Sequence, residues 1–419
     1  MAIHDSAAKG FAAGADAYER GRPTYSTEAI DRLIAELRIA PGRRVLDLAA
    51  GTGKLTRQIA PAGAEIVAVE PIDEMRAKLV ASLPGVAAMP GVAEDIPLPN
   101  HSVDAVVVGQ AFHWFDGIRA VSEIHRVLKP GGAVGMIWQA RDPSLPWVKR
   151  LDDLIDRIDD GHPRYRTAHW REAFDLTALF DPIDEAVYPY VQRGSPETIV
   201  DRVASISYVA SLAPEVREPY LDEVRELLRT DPATAGRDVI ELPYTSHVYW
   251  TRPRAVPHEP GVGTVVSVNG NQGGVPKPPL GRSFIRELGL EHDHQADPIH
   301  HGGPLQAVCL HSIEAQERIR ADGHLAFPGA YGDNLTVIGI DWGSLRGGER
   351  LEVGEPGEGP LLQLTDDATP CSKQSRWFTD GEIQRISIRH YPNDIRWYAS
   401  VVREGPVAAG DEVRLLPTR

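Results

Sequence analysis

Between Arg44 and Trp138 the sequence repeats one pattern, a short β-branched apolar run followed by a stretch with helical periodicity. This alternation specifies an α/β fold, a sheet built from βαβ units with helices on both faces. The strand runs are Arg44 to Leu48, Glu65 to Glu70, Ala87 to Pro90, Val103 to Gly109 and Ala133 to Trp138. Helices are expected near Leu55 to Ala60, Asp73 to Leu83 and Ile118 to Val127. From Pro146 to about Leu228 the pattern is helical, and the alternation in "IELPYTSHVYWTRP" predicts a final strand closing the same sheet.

The texture changes after "RPRAVPHEPGVG", which is rich in proline and glycine and has no apolar period, as a linker would be. A chain of 419 residues exceeds what one core usually holds. The expected division is residues 1–253, a linker over 254–260, and a second domain over 261–419. In that second part seven short runs are punctuated by glycine: "GTVVSVN", "LQAVCLHS", "NLTVIGI", "ERLEVG", "LLQLT", "IRWYASVV" and "DEVRLL". They predict a compact, mainly-β barrel or sandwich.

Charge and composition narrow the function. A net charge of −15 argues against a broad footprint on a phosphate backbone, so no nucleic-acid partner is expected. The sequence has no apolar run near the ~20 residues of a membrane span, and its first residues lack the layout of a secretory signal. We therefore expect a cytoplasmic protein with no membrane partner that acts on a small molecule. The two cysteines, Cys309 and Cys371, are too few for a disulfide framework or a four-ligand metal site.

In "VLDLAAGTGK" an apolar strand enters a loop containing Gly51 and Gly53, and Glu70 ends the next strand. Such a loop lets backbone amides approach a ligand, and an acid about 20 residues on can bond a ribose diol. A dinucleotide fingerprint would need further glycines where Ala49 and Thr56 stand. The segments "VLDLAAGTG", "VAVEPIDEM", "GVAEDIPLPNHSVDAVVVGQAFHWF" and "IHRVLKPGG" resemble, in order and spacing, the class I S-adenosylmethionine-dependent methyltransferases. The resemblance is to the small-molecule, trans-aconitate and ubiquinone branch, and it covers about residues 8–253. It implies a Rossmann-like seven-stranded domain with S-adenosylmethionine as cofactor. By it, Asp47, Ala49 and Gly51 face the methionine part, Glu70 the ribose hydroxyls, Ile72 and Ala93 the adenine, and Gln110 closes the site. Tyr18 and Arg22, in "YERGRPTYS", contact the amino-acid end. Val92 stands where an acid is common, leaving Glu94 or Asp95 to meet the adenine amino group. The aromatic "FHWF" is either a core wall or a functional one, in which His113 acts as general base or Trp114 shapes the acceptor pocket.

In the second part, "HDHQADPIHHGGPLQAV" carries His292, His294, His300 and His301 at spacings that match no compact metal set, so no metal is expected there. It is either a polar loop or a place where backbone amides and the His301 imidazole meet an anion. "PGAYGDNLTVIGID" offers Asn334 as amide donor and acceptor. With "GTVVSVNGNQGGVPK", "HHGGPLQAVCLHS", "LLQLTDDATPC" and "RWYASVVREGPVAAGDEV", these segments resemble the MOSC domain over about residues 260–417. Asp333 and His292 depart from the family's usual Glu and Gly. The resemblance implies a β-barrel in which Cys371 handles sulfur or ligates molybdenum. Lys373 and Arg376 place that thiol in a positive field, whereas Cys309 reads as core.

The expected activity is bifunctional. The second domain would cleave or transfer sulfur at Cys371, as a C–S lyase does, with His301 and Asn334 at the site. The first would S-methylate the small-molecule thiol released from a thioether conjugate. The alternatives are a molybdenum-cofactor oxidoreductase of N-hydroxylated compounds and a methyltransferase with a non-catalytic binding module.

Overall fold

The computed structural model describes residues 18–158, 165, 169–257, 259–295 and 302–417. The chain divides into two compact units. The first comprises Met1–Asp116, Val127–Trp170 and Ile183–Arg252, and the second Gly117–Arg126, Arg171–Pro182 and Pro253–Arg419. Among the described residues no helix is long and apolar enough to cross a membrane.

The first unit is a sheet of seven strands: β1 (Arg44–Leu48), β2 (Glu65–Val69), β3 (Ala87–Met89), β4 (Val103–Gly109), β5 (Leu128–Arg141), β6 (Asp184–Gly194) and β7 (Ile240–Thr251). Their order is β3-β2-β1-β4-β5-β7-β6. β1 to β5 run parallel, and β7 is antiparallel to both β5 and β6. The central strands are apolar almost throughout because both faces are covered, with Val106, Val107 and Val108 of β4 fully buried. Helix α1 (Thr27–Leu37) packs on β5 at Gly135, where an added Cβ would come within 2.5 Å of Leu33. That glycine is a packing requirement of the helix–strand contact.

Two sequence expectations change. Residues 146–228 are not wholly helical, since β6 lies within them, and β7 does not close the sheet because β6 takes the edge. As an edge strand with alternately exposed residues, β6 tolerates Pro189 and carries Asp184, Glu185 and Arg193, so it lacks the apolar signature of an interior strand. The remaining excursion is helical. Helices α2 (Pro146–Asp156), α3 (Pro196–Ala204) and α4 (Pro214–Thr230) share a core in which Val148, Ile199 and Val224 meet Leu242 and Tyr244 of β7.

In the second unit the strands are β8 (Val262–Val268), β9 (Arg282–Arg286), β10 (Gly289–Leu290), β11 (Val308–Ser312), β12 (Leu335–Ile338), β13 (Arg350–Val353), β14 (Leu361–Asp367), β15 (Trp397–Arg403), β16 (Gly405–Ala408) and β17 (Glu412–Leu416). Seven of them close a barrel in the order β11-β12-β8-β17-β13-β14-β15. These seven correspond one for one to the seven glycine-punctuated runs. The barrel interior is filled by side chains such as Val265, Leu310, Leu351 and Leu362, all fully buried. A small sheet, β10-β9-β16, adds Ile285, Leu290 and Val407 to the same core, and its short strands carried no sequence signal.

Candidate functional site

At the carboxyl end of β1 the chain turns through left-handed backbone at Ala49 (φ 56°), Gly51 (φ 59°) and Gly53 (φ 81°), then enters a short helix, Lys54–Ile59. The two glycines do different work. A Cβ on Gly53 would press on Leu79 at 3.0 Å, whereas at Gly51 it would meet, among the described residues, only the Tyr18 hydroxyl, at 3.9 Å. Gly51 therefore leaves an open floor, with Tyr18 beside it.

Glu70, at the end of β2, holds this loop from the side. One carboxylate oxygen accepts from Gly51 N (2.8 Å) and the other from Ile72 N (2.9 Å). Burial raises its pKa against the effect of these bonds. Asp47 lies beneath, 1% exposed; its Oδ2 accepts from the Thr56 hydroxyl at 2.5 Å and, among the described residues, its Oδ1 has no hydrogen-bond partner. Burial, opposed by the Thr56 bond, pushes this carboxyl up to about 7.

These features fit S-adenosylmethionine. The orphaned Asp47 oxygen suits the cofactor's ammonium, the Gly51 floor its chain, and Glu70 its ribose hydroxyls. Ile72 and Ala93, both buried, supply the apolar contact an adenine needs. Glu94 already accepts from Asp116 N (2.7 Å), which leaves Asp95 as the uncommitted acid of the two named for the adenine amino group. Gln110 sits in left-handed backbone (φ 59°) at the end of β4. Arg22 lies over the Tyr18 ring at 5.0 Å and is held through Ser205, to its hydroxyl at 3.1 Å and its carbonyl at 3.0 Å.

A cavity opens past Gln110, walled by His113, Trp114, Tyr165, Arg202 and Tyr208. Phe112 of the same aromatic motif is buried in the core, so "FHWF" serves both packing and cavity wall. His113 Nδ1 accepts from Trp138 Nε1 at 3.3 Å, which leaves Nε2 as the protonated nitrogen of a neutral ring. Burial, with the Arg22 charge adding to it, pushes the imidazole down to about 3. A ring of that basicity cannot take a proton usefully near neutrality, although it can donate a hydrogen bond.

Sequence reasoning missed Arg202. It sits on α3 one turn from Ile199, on the face that builds the helical core, and a charge on an apolar face was the available signal. The segment before α1 is locked to α3 around it. Arg20 pairs with Asp201 (2.7 Å), Arg22 bonds Ser205, and Gly21 lies so close that a Cβ would stand 2.3 Å from Arg202 N.

In the second unit a separate cavity gathers Cys371, Lys373, Lys277, Arg396, Tyr398 and, unexpectedly, Cys309. Cys371 follows β14 and caps the 3₁₀ turn Ser372–Trp377. Its carbonyl accepts from the Gln374 N–H at 3.0 Å, and its own N–H donates to Gln374 Oε1 at 3.0 Å. Gln374 and Arg396 both bond the Tyr331 carbonyl, at 2.7 and 2.8 Å, so the cysteine rests on a braced frame. Arg396 is 4% exposed and its Nε has no partner. Of the two cations expected beside the thiol, Lys373 lines the cavity; Arg376 donates to the Val275 carbonyl and stacks on Trp377. Lys277 pairs with Asp293 at 2.7 Å.

Cys309 is 5% exposed, as a core residue should be, yet it also faces this cavity, and burial pushes its thiol up. Asn334 lines the cavity with its amide committed: it donates to Asp293 (2.9 Å) and to Asn269 O (3.3 Å), and accepts from Cys309 N (3.1 Å). Asp333 is buried and turned to Thr336 (2.6 Å) and Gly329 N (3.1 Å). His294 reaches the cavity, whereas His300 and His301 lie outside the described residues. Among the described residues no three of His, Cys, Asp or Glu group closely enough to hold a metal ion.

The β3-β2-β1-β4-β5-β7-β6 sheet, with its loop and acid, defines an S-adenosylmethionine-dependent methyltransferase of class I. Residues 46–136 match the family model described as a methyltransferase domain, and residues 297–414 match the MOSC domain. An uncharacterized methyltransferase of Mycobacterium tuberculosis is 44% identical over 236 residues, covering 56% of this chain and 92% of the relative. The Escherichia coli protein YiiM is 28% identical over 140 residues, covering 32% of this chain and 60% of that protein. Among solved structures, the YcgJ protein of Bacillus subtilis aligns with a TM-score of 0.39 at 21% identity, covering 55% of this chain and 100% of that one. The chain belongs to this methyltransferase family and carries a MOSC domain after it.

Proposed function

We propose that the protein is a bifunctional sulfur enzyme. The MOSC domain releases a small-molecule thiol from a conjugate by elimination, in which the Cys371 thiolate takes a proton from the carbon beside the carbon that bears sulfur, a C=C bond forms, the C–S bond breaks and the sulfur leaves as a thiolate; the methyltransferase domain S-methylates that thiolate. The observation that carries the reading is that the described residues of the acceptor cavity include no effective base. His113 ionises at about 3, and the one carboxylate among the described lining residues, Asp156, is exposed. An alcohol cannot be ionised by such a site, whereas a thiol, with an unperturbed pKa of about 8.5, ionises near neutrality without help. The positive charge of Arg22 and Arg202 in the same wall favours a thiolate and opposes an ammonium. S-Adenosylmethionine supplies an activated methyl group on a sulfonium sulfur, so what remains for the protein is to orient the thiolate and exclude water. Joining the two activities in one chain raises the effective concentration of the released thiol at the second site.

The test is incubation of the full chain with labelled methyl donor and a panel of thiols, alcohols, amines and thioether conjugates, with products read by mass spectrometry. Methylation of thiols, and of the thiol part of conjugates, is expected. Methylation confined to oxygen or nitrogen would overturn the reading. Replacing His113 with glutamine, which keeps a donor, is expected to change turnover less than tenfold and to leave its pH profile in place. A base role would move that profile.

A second reading of the MOSC domain rests on Arg396. Its buried Nε without a partner, beside Lys277, Lys373 and the Cys371 thiol, suits a bound anion, as the phosphate of a molybdenum cofactor would be, with Cys371 as metal ligand. Molybdenum retained by protein made in a cofactor-competent host, and lost in Cys371→Ser, would favour this reading over thiol release.

A further inference from the structure

The acceptor cavity contains a charge arrangement that methyl transfer alone does not explain. Arg202 is 7% exposed, and among the described residues its Nε and Nη1 have no hydrogen-bond partner. Among the described residues the groups that bear on it are two cations, Arg22 and Arg141, which oppose its charge, and the Tyr244 phenol, which supports it. Desolvation and these arginines bring its pKa down to about 9, a large departure for a guanidinium. The neighbouring acids are engaged elsewhere: Asp201 takes Arg20, and Asp152 takes Arg141. Asp156, the remaining carboxylate of the lining, is exposed. A buried cation whose closest charges repel it is costly unless a counter-charge arrives with a ligand. The site is also built for its position, because Gly21 lets the chain pass against the Arg202 backbone and Ser205 fixes Arg22 beside it.

We propose that the methyl acceptor is an acidic thiol, whose carboxylate docks on Arg202 beside Arg22 while its sulfur faces the methyl donor. The identity of the reacting atom rests on the thiol reading above, whereas the carboxylate anchor rests on Arg202 itself. An anion in this region could also be the cofactor's own carboxylate, and the experiment separates the two sources.

The full chain, saturated with S-adenosylhomocysteine, is titrated calorimetrically with 3-mercaptopropionate and with its methyl ester. The wild type is expected to bind the acid at least tenfold more tightly than the ester. Arg202→Met should weaken the acid by roughly 10- to 100-fold and the ester little, since hydrogen bonds to charged groups are worth more than neutral ones. Arg202→Lys should recover part of the loss. A melting curve and an unchanged affinity for S-adenosylhomocysteine show that the variant folds. Equal losses for acid and ester, or weakened S-adenosylhomocysteine with unchanged acid, would overturn the proposal; the second outcome assigns Arg202 to the cofactor. If the acid binds through Arg202 but the wild type methylates no thiol, the thiol reading fails and the anion anchor stands.

Discussion

Replacing Cys371 with serine is expected to lower thiol release from a conjugate by roughly three orders of magnitude, within the range felt on loss of a group that transfers a proton. Methylation of a supplied thiol by the same protein should be unchanged within about twofold. Serine is suited to the test because Cys371 caps a 3₁₀ turn through its backbone, its carbonyl accepting from the Gln374 N–H and its N–H donating to Gln374 Oε1, and both bonds survive the substitution. The frame of Gln374, Arg396 and the Tyr331 carbonyl is then kept, and a loss of activity reports chemistry. Cys309→Ser supplies the contrast. Burial holds that thiol in its protonated form at neutral pH, so its replacement should cost stability more than thiol release. Loss in Cys309→Ser with retention in Cys371→Ser would move the reactive role to the buried thiol. Retention of both activities in Cys371→Ser would make the MOSC domain a binding module.

Asp47→Asn is expected to have opposite effects on stability and on cofactor binding. The carboxyl ionises near pH 7 in the folded protein and near 3.8 when unfolded. Between about pH 4 and 7 the unfolded chain therefore gives up this proton while the folded chain keeps it, and stability falls as pH rises. Above pH 7 the cost is fully present, at about 4 kcal/mol. Asparagine removes it, so the unliganded variant should melt about 5 °C or more above wild type at pH 8 and about level with it at pH 4.

Cofactor affinity should go the other way. Bringing an ammonium to the orphaned Oδ1 returns the carboxyl toward ordinary acidity. Wild-type affinity for S-adenosylmethionine should then rise by up to about tenfold per pH unit between pH 5 and 7, with protons released on binding. Asp47→Asn should bind weakly and without that slope. Calorimetry in buffers of differing ionisation enthalpy measures both. A variant whose melting temperature and affinity follow wild type across this range would remove Asp47 from the cofactor site.

Legibility in the sequence followed the physics of each element. β1, β2, β4 and β5 were readable because a parallel sheet buried on both faces writes continuous apolar runs, and the barrel because its strands lie between glycine turns. β6 was not, since an edge strand with Pro189 and alternating charges has no apolar signature. The loop with Gly51 and Glu70 was legible as a local motif, and the structure joins the two through one hydrogen bond. Arg202 was not, because its meaning depends on Arg22, distant in sequence, and on the carboxylates having been taken by other arginines. Cys309 was misread in emphasis: β11 is buried throughout, but the cavity reaches its side. Alternation along a strand tells which residues are hidden from bulk water, not which of them border a small internal space.

In the barrel, β8 and β17 are neighbours, with Thr264 paired to Glu412 and Gly263 to Val413. The first and last staves of the ring thus meet, and this stretch of polypeptide leaves the ring beside the point where it enters. Such an arrangement suits circular permutation: a short bridge could join Leu416 to Val262, and new ends could be opened at the exposed turn around Gly357, without any stave losing a partner. The same geometry makes the ring portable, because a host chain can carry it as a terminal addition or as an insertion while keeping its own path almost unbroken.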